Sequence, residues 1–180
     1  AARRVTESPA ARAKRLLEKA SEAMKAGRFA EAEAAYEESN RLAPSDEAAR
    51  GLAEARFRRH MENSLAEEKA GRLAQAIREV NSALAIKQDA AARVRLTELE
   101  RRLRLEEMLA EAKKHEEAAR YAAARAAYAR ALSEAKDDER AEIQAAISRM
   151  ESALVYAAAI DEAKAHADAK RWKDAEKATE

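Results

Sequence analysis

The sequence predicts an all-α fold in which long and short helices alternate as antiparallel hairpins. The composition is rich in Ala, Glu, Lys, Leu and Arg, which are good helix formers, and only 3 Gly and 2 Pro interrupt the 180 residues. Apolar residues recur at i, i+3, i+4 and i+7 along most of the chain, which places them on one face of a helix. A hydrophobic fraction of 47% argues against disorder. Because much of that fraction is Ala, we expect stability to come from many close helix contacts.

The first hairpin is marked at both ends. Ser8 is a helix-capping residue, and Pro9 suits the first helical position, where an N–H has no partner within the helix. Gly27 tolerates the left-handed conformation that ends a helix. A second helix is expected from Phe29, and it stops before Pro44.

The same pattern continues after Pro44. Ser45 caps a long helix expected near 46–70, and a shorter partner follows Gly71. A further long helix is expected over about 89–118, with a short successor from Tyr121.

A third long helix begins at Lys136-Asp137-Asp138. It is expected to end at a turn, after which Trp172 and Ala175 open a final short helix.

Four stretches align as turns. Each has Arg in the middle followed by a large apolar residue: Gly27-Arg28-Phe29, Gly71-Arg72-Leu73, Ala119-Arg120-Tyr121 and Lys170-Arg171-Trp172. Three positions beyond the large residue stands Ala32, Ala76, Ala124 or Ala175, and seven beyond it stands Tyr36, Val80, Tyr128 or Thr179. We interpret the large residue as a plug at the corner of the hairpin, and the Ala as the point where two helix backbones approach closely. We expect each turn Arg to reach the last carbonyls of the preceding helix.

These residues resemble the tetratricopeptide repeat, whose unit has a small turn residue, an aromatic, Ala, a second aromatic, Ala and a terminal Pro. The resemblance implies an α-solenoid of about three and a half repeats over one segment, 1–180. The repeats are about 10–44, 45–87, 88–136 and an incomplete 137–180. The first matches best, although Ser39 stands where the family has Ala.

The later repeats depart from the family in length and turn chemistry. From Gly27 to Gly71 is 44 residues, from Gly71 to Ala119 is 48 and from Ala119 to Lys170 is 51, against ~34 in that family. Each later first helix is therefore elongated. Ala119 or Lys170 in a left-handed conformation would cost ~1 kcal/mol or more.

The resemblance implies a groove, lined by the first helix of each hairpin, that binds a peptide or helix of a partner protein. Apolar residues stand ten positions before each turn, and the expected binding row is Leu17, Met61, Leu65, Leu109, Lys113 and Ile160. The alternative is that these side chains pack between neighbouring hairpins, because apolar residues at helical spacing are usually core.

Other functional classes have little support in the sequence. Lys plus Arg at 35 nearly balance Asp plus Glu at 34, and the basic clusters at 56–60 and 93–104 are interleaved with Glu, so we expect local ion pairs and no nucleic-acid partner. With 0 Cys, 3 scattered His and no Gly-rich phosphate loop, we expect no enzyme activity, no metal and no cofactor. No apolar run predicts membrane insertion, and the compartment is left open between cytoplasm and periplasm.

The sequence therefore predicts a protein-interaction or scaffold module. Ala and Arg richness suggests a bacterial source, and the start at Ala1 suggests a piece of a longer protein. The alternative function is self-association as a homo-oligomer, or a rod-like spacer, because the last helix would leave an apolar surface near Ile160 and Trp172.

Overall fold

The computed structural model describes the backbone of residues 7–177 and the side chains of 7–171. Every regular element in that range is an α-helix. In chain order they are α1 (Pro9–Lys25), α2 (Phe29–Leu42), α3 (Asp46–Lys69), α4 (Leu73–Ile86), α5 (Ala90–Glu117), α6 (Tyr121–Glu134) and α7 (Asp137–Lys177). The predicted all-α class, and the alternation of long and short helices from α3 to α6, are confirmed.

Polar side chains cap the helix starts that the sequence marks. Ser8 Oγ accepts a hydrogen bond from the Ala11 N–H at 3.2 Å, and Ser45 Oγ accepts one from Ala48 at 3.1 Å. Asp89 does the same for α5, through a 2.9 Å bond from the Ala92 N–H. Each cap satisfies one of the N–H groups that a helix start leaves unpaired.

Three of the four predicted turns form, and they share one hydrogen-bond pattern. In the first, the Gly27 N–H donates to Met24 O at 3.2 Å, and the Arg28 N–H donates to Ala23 O at 2.9 Å. The turns at Gly71 and Ala119 repeat both bonds. This is the Schellman motif, which requires a left-handed residue. Gly27 and Gly71 have φ of 71°, and Ala119 has φ of 54° despite carrying a Cβ.

The predicted fourth turn, at Lys170-Arg171-Trp172, is wrong. The structure has continuous helix from Asp137 to Lys177, so Trp172 and Ala175 do not open a separate short helix. Lys170 would have to adopt a left-handed conformation, and no residue in 151–171 is buried enough to offset that cost. Continuing the helix keeps its backbone hydrogen bonds. The side chains of Trp172 and Ala175, and residue Thr179, lie outside the described residues.

The predicted role of the turn arginines needs a correction. Arg28 Nε donates to Glu31 at 2.8 Å, and Arg72 Nε donates to Glu67 at 2.5 Å. These guanidinium groups therefore pair with carboxylates and not with the last carbonyls of the preceding helix. The Arg28 and Arg72 carbonyls instead accept the first hydrogen bonds of α2 and α4.

The chain divides into two compact units, Ala1–Glu100 and Arg101–Glu180. In the first unit, α1 packs on α2, α2 on α3 and α3 on α4. The interfaces consist largely of fully buried alanines, and these include the motif positions Ala32 and Ala76. Leu73 is buried as a corner plug, whereas Phe29 is only half-buried.

Two specific contacts, one polar and one aromatic, join neighbouring helices of the first unit. Ser39, where the family has Ala, is fully buried, and its hydroxyl donates to Ala13 O on α1 at 2.9 Å. Tyr36 lies against the backbone of α3, and a Cβ at Gly51 would come within 2.4 Å of the tyrosine ring. Gly51 therefore sets the spacing between α2 and α3.

The second unit has an apolar core formed by the C-terminal part of α5, by α6 and by the start of α7. Its buried members include Leu105, Ala112, Ala124, Tyr128, Ile143, Ala146, Ile147 and Met150. Tyr121 packs against this core from a half-buried position. The motif residues Ala124 and Tyr128 are thus core residues, as the pattern predicts.

Candidate functional groove

The six predicted binding residues differ in how far they are exposed to solvent, and none of them is fully buried. Leu17, Met61, Leu109 and Ile160 are half-buried, whereas Leu65, at 46% exposure, and Lys113 are exposed. The structure brings Leu109 and Lys113 together in one groove of the second unit. In the first unit, Leu17 lines a separate depression.

The groove in the second unit lies between α5 and α7 and has a volume of about 370 Å³. Its floor is apolar and consists of Leu105, Leu109, Ile143 and Ala146, with Tyr128 of α6. All of these except Leu109 are buried, and Leu109 packs partly against the same core. The α5 and α7 side chains are therefore held in place by the core beneath them, which makes the groove a preformed feature of this unit.

Charged side chains form the rim of the groove: Arg102, Glu106, Asp138, Glu139 and Glu142 near the start of α7, and Lys113 and Arg149 near the other end. Glu106, Asp138, Glu142 and Lys113 make no hydrogen bond or ion pair within the described residues. One end of the groove is thus mainly acidic and the other basic. Such a rim can select the orientation of a charged ligand.

A polar network supports the groove floor. Tyr128, which is 3% exposed, donates its hydroxyl hydrogen bond to Glu116 Oε2 at 2.6 Å. Arg149 lies 3.9 Å from the other oxygen of Glu116. Burial, and then the hydrogen bond to the charged Glu116, raise the pKa of Tyr128 to about 12. The tyrosine therefore stays neutral at physiological pH and is a structural donor.

The depression in the first unit is more polar. Leu17 and Ser21 line it together with Lys14, Glu18, Glu22, Lys25 and Glu47. Leu17 is the only large apolar side chain among these, so this surface offers less apolar area to a ligand than the α5–α7 groove. Met61, Leu65 and Ile160 line neither feature.

The groove wall on α7 was missed by the sequence analysis. The signal was present, because Ile143 and Ala146 stand at i and i+3. Helical spacing does not distinguish a groove floor from a core, and the structure shows that both residues are buried and also form the groove floor. The rim carboxylates on α7 are Asp138, Glu139 and Glu142. The sequence shows them only as acidic residues near a helix start and does not mark them as part of a groove.

The basic cluster on α3 is ion-paired, as predicted, but mostly to neighbouring helices. Arg56 donates to Glu33 at 3.0 Å, and His60 Nδ1 lies 2.7 Å from Glu79. Arg59 also approaches Glu33 at 2.9 Å, in a charge contact without hydrogen-bond alignment. Arg58 alone uses an interleaved residue, Glu54, at 2.8 Å.

The second basic cluster is also paired. Arg95 of α5 donates to the buried Ser64 and to Glu68 on α3. Arg101, whose side chain is 14% exposed, donates to the Glu134 carbonyl at 2.7 Å and to Glu139 at 2.8 Å. Arg101 thereby satisfies a carbonyl at the C-terminus of α6.

Among the side chains of residues 7–171, no group of three or more His, Asp or Glu has an arrangement that could hold a metal ion. The helices described there also contain no stretch with the length and hydropathy that a membrane span requires.

Comparisons with known proteins give no relative: no family model matches the chain, and no curated protein or solved structure shows significant similarity to it.

Proposed function

We propose that this protein is a protein-interaction module built from tetratricopeptide-like helical hairpins, the repeated unit of an α-solenoid. In this proposal the α5–α7 groove binds an apolar segment of a partner protein. The observation that carries the proposal is the groove itself, whose apolar floor of Leu105, Leu109 and Ile143 is bordered by charged side chains.

The groove suits a short helix or an extended peptide. Apolar side chains of the ligand would contact the floor and provide most of the affinity, because burial contributes ~25 cal/mol per Å² of apolar surface removed from water. The charged rim would then favour one orientation of the bound segment. The repeated Schellman turns and the buried motif alanines support the tetratricopeptide-like part of the proposal.

A displayed library of random peptides, selected against the purified chain, tests the proposal. We expect enrichment of peptides that carry two or three large apolar residues at helical or alternating spacing. The variant Glu106→Lys should change the affinity of a selected peptide at least tenfold, because Glu106 is on the rim. Glu107→Lys is the matched control, since Glu107 is the next residue, is exposed and does not line the groove.

Leu109→Glu is a stronger test of the floor, with melting temperature measured alongside affinity. Loss of binding with an unchanged melting temperature supports the groove. Unfolding of this variant would instead indicate that Leu109 is mainly a core residue, and equal effects of Glu106→Lys and Glu107→Lys would count against the groove as the binding site.

A further inference from the structure

The α5–α7 groove has two distinct ends, because the two helices that line it run in the same direction. Arg101 of α5 donates to Glu139, near the start of α7, at 2.8 Å. Further along both helices, Arg149 of α7 lies 3.9 Å from Glu116 of α5. The lining residues extend from 102 to 113 on α5 and from 138 to 149 on α7. At ~1.5 Å per residue, each wall of the groove is roughly 16 Å long.

The end beside the start of α7 carries an excess of negative charge. The carboxylates that line this end are Glu106, Asp138, Glu139 and Glu142. Arg102 is the cation that lines it with them, and Arg101 offsets Glu139. Three lining carboxylates therefore remain against one lining guanidinium group.

The dipole of α7 explains only part of this acidic end. Acidic residues are favourable in the first turn of a helix, which accounts for Asp138 and Glu139. Glu142 lies beyond that turn, and Glu106 lies in the interior of α5. Glu106 and Glu142 are both exposed, and each follows or precedes a buried residue of the groove floor, Leu105 or Ile143. Their charges thus border the apolar floor directly.

The opposite end of the groove is basic. Lys113 and Arg149 line it, and the contact of Arg149 with Glu116 is long and exposed. A cation is therefore attracted at one end of the groove and repelled at the other. Among the side chains that the structure describes, no acidic group has the arrangement of a metal site. The cation that suits the acidic end is then a Lys or Arg side chain of the ligand that occupies the floor.

We propose that the segment bound by the α5–α7 groove is both apolar and basic, with an Arg or Lys beside two or three large apolar residues. This inference rests on the proposed function and adds the charge and the orientation of the partner segment. The apolar side chains contact Leu105, Leu109 and Ile143, and the basic side chain lies between Glu106 and Glu142. Lys113 and Arg149 disfavour the reversed orientation.

Peptides selected from the random library provide the first test. We expect Arg or Lys to be enriched at one fixed position relative to the apolar residues. The double variant Glu106→Gln/Glu142→Gln should weaken the affinity of such a peptide about threefold to tenfold, as expected for the loss of two exposed ion pairs. The matched control is Glu107→Gln/Asp137→Asn, which removes the same charge from exposed residues that do not line the groove.

A double-mutant cycle then links the charge of the peptide to the charge of the groove. Replacing the basic residue of the peptide with Gln should weaken binding to the natural chain, but should have little further effect on binding to Glu106→Gln/Glu142→Gln. Fully additive effects would overturn the proposal, as would equal effects of the groove variant and its control. Circular dichroism checks that both variants stay folded, which the exposure of these residues leads us to expect.

Disulfide cross-linking tests the orientation, and the chain has 0 native Cys to interfere. Asp137→Cys places a thiol beside the acidic end, and Lys114→Cys places one beside the basic end. Both residues are exposed, and neither lines the groove. A peptide with Cys next to its basic residue should cross-link to Asp137→Cys and not to Lys114→Cys. The reverse preference would refute the orientation.

The two proposals fail in different ways. Selected peptides that lose binding in Leu109→Glu at an unchanged melting temperature, but carry no preferred Arg or Lys, would keep the groove as the binding site and refute its basic ligand. Peptides that bind Leu109→Glu as well as the natural chain would refute the groove itself, and the basic ligand with it. The same conclusion would follow if the library yielded no binding peptide.

Discussion

Gly51 lies in the interior of α3, where glycine costs about 1 kcal/mol relative to alanine. Its retention follows from the contact with Tyr36, whose ring occupies the space that a Cβ would take. The aromatic motif position on α2 and the glycine on α3 are thus one packing unit, formed by residues 15 positions apart (36 and 51) in the sequence.

The Tyr36–Gly51 contact predicts that Gly51→Ala changes stability in opposite directions with and without the Tyr36 ring. Gly51→Ala should destabilise the chain by about 1–2 kcal/mol, because overpacking outweighs the gain in helix propensity. In a Tyr36→Ala background the same substitution should stabilise by about 1 kcal/mol, since only the propensity gain remains. Denaturant unfolding of the four chains of this double-mutant cycle measures both values. An equal effect of Gly51→Ala in the two backgrounds would rule out the contact.

The raised pKa of Tyr128 predicts that the folded chain loses stability at alkaline pH. Its folded pKa of about 12 exceeds the unfolded value of 10.0, so its contribution is fully present below pH 10.0 and is lost as the pH rises towards 12. The difference of two pKa units corresponds to about 2–3 kcal/mol. Tyr128→Phe should flatten this part of the stability–pH curve, measured by urea unfolding between pH 8 and pH 12. The same alkaline slope in the Phe variant would show that other groups produce it.

At the scale of elements, the three turns show that one hydrogen-bond pattern can be built with or without glycine. Gly27 and Gly71 adopt the left-handed conformation without a steric penalty. Ala119 adopts it at a cost of ~1–2 kcal/mol, which the core formed by α5, α6 and α7 offsets.

Replacement of the strained residue should therefore stabilise the third turn. We expect Ala119→Gly to raise the free energy of unfolding by about 0.5–1 kcal/mol, which is the relieved strain less the added entropy of the unfolded chain. Gly71→Ala is the complementary control and should destabilise by about 1 kcal/mol, because open space around Gly71 leaves only the backbone cost. Thermal or urea unfolding distinguishes these signs. Destabilisation by Ala119→Gly would mean that the alanine methyl group makes a contact worth more than the strain.

At the scale of the whole molecule, charge is balanced both in total and locally. The net charge is +1, and the arginines of the basic cluster on α3 have glutamate partners. Arg95, Arg101 and Arg104 are engaged in the same way. The long helices are therefore joined to their neighbours by ion pairs, and their guanidinium groups are not arranged as a phosphate-binding surface.

This balance predicts no affinity for nucleic acid. Fluorescence anisotropy of labelled single-stranded and duplex oligonucleotides should show no binding even at low ionic strength. Binding that falls steeply with added salt would contradict the prediction, because that dependence is the signature of phosphate contacts. A charge-reversed variant, Glu33→Arg, is a useful comparison, since it removes the carboxylate that Arg56 and Arg59 share, although Arg56 keeps Glu37.

The sequence by itself determined the secondary structure of this protein over most of its length. Ser8, Ser45, Gly27, Gly71 and Pro44 act on their immediate neighbours, so their effect on helix boundaries does not depend on the rest of the fold. The core positions at the motif alanines followed from helical periodicity for the same reason. Lys170-Arg171-Trp172 resembled a turn in its residue types, but a left-handed Lys needs tertiary burial to offset its cost.

Only the tertiary structure decided where the groove lies and which half of α7 has no buried residues. The α5–α7 groove depends on residues from two helices that are distant in sequence, and periodicity cannot separate a buried floor from an ordinary core. The partners of the arginines likewise depend on which helices become neighbours. The exposed half of α7 follows from where α5 and α6 stop covering it, because burial depends on the whole packing arrangement and not on local sequence.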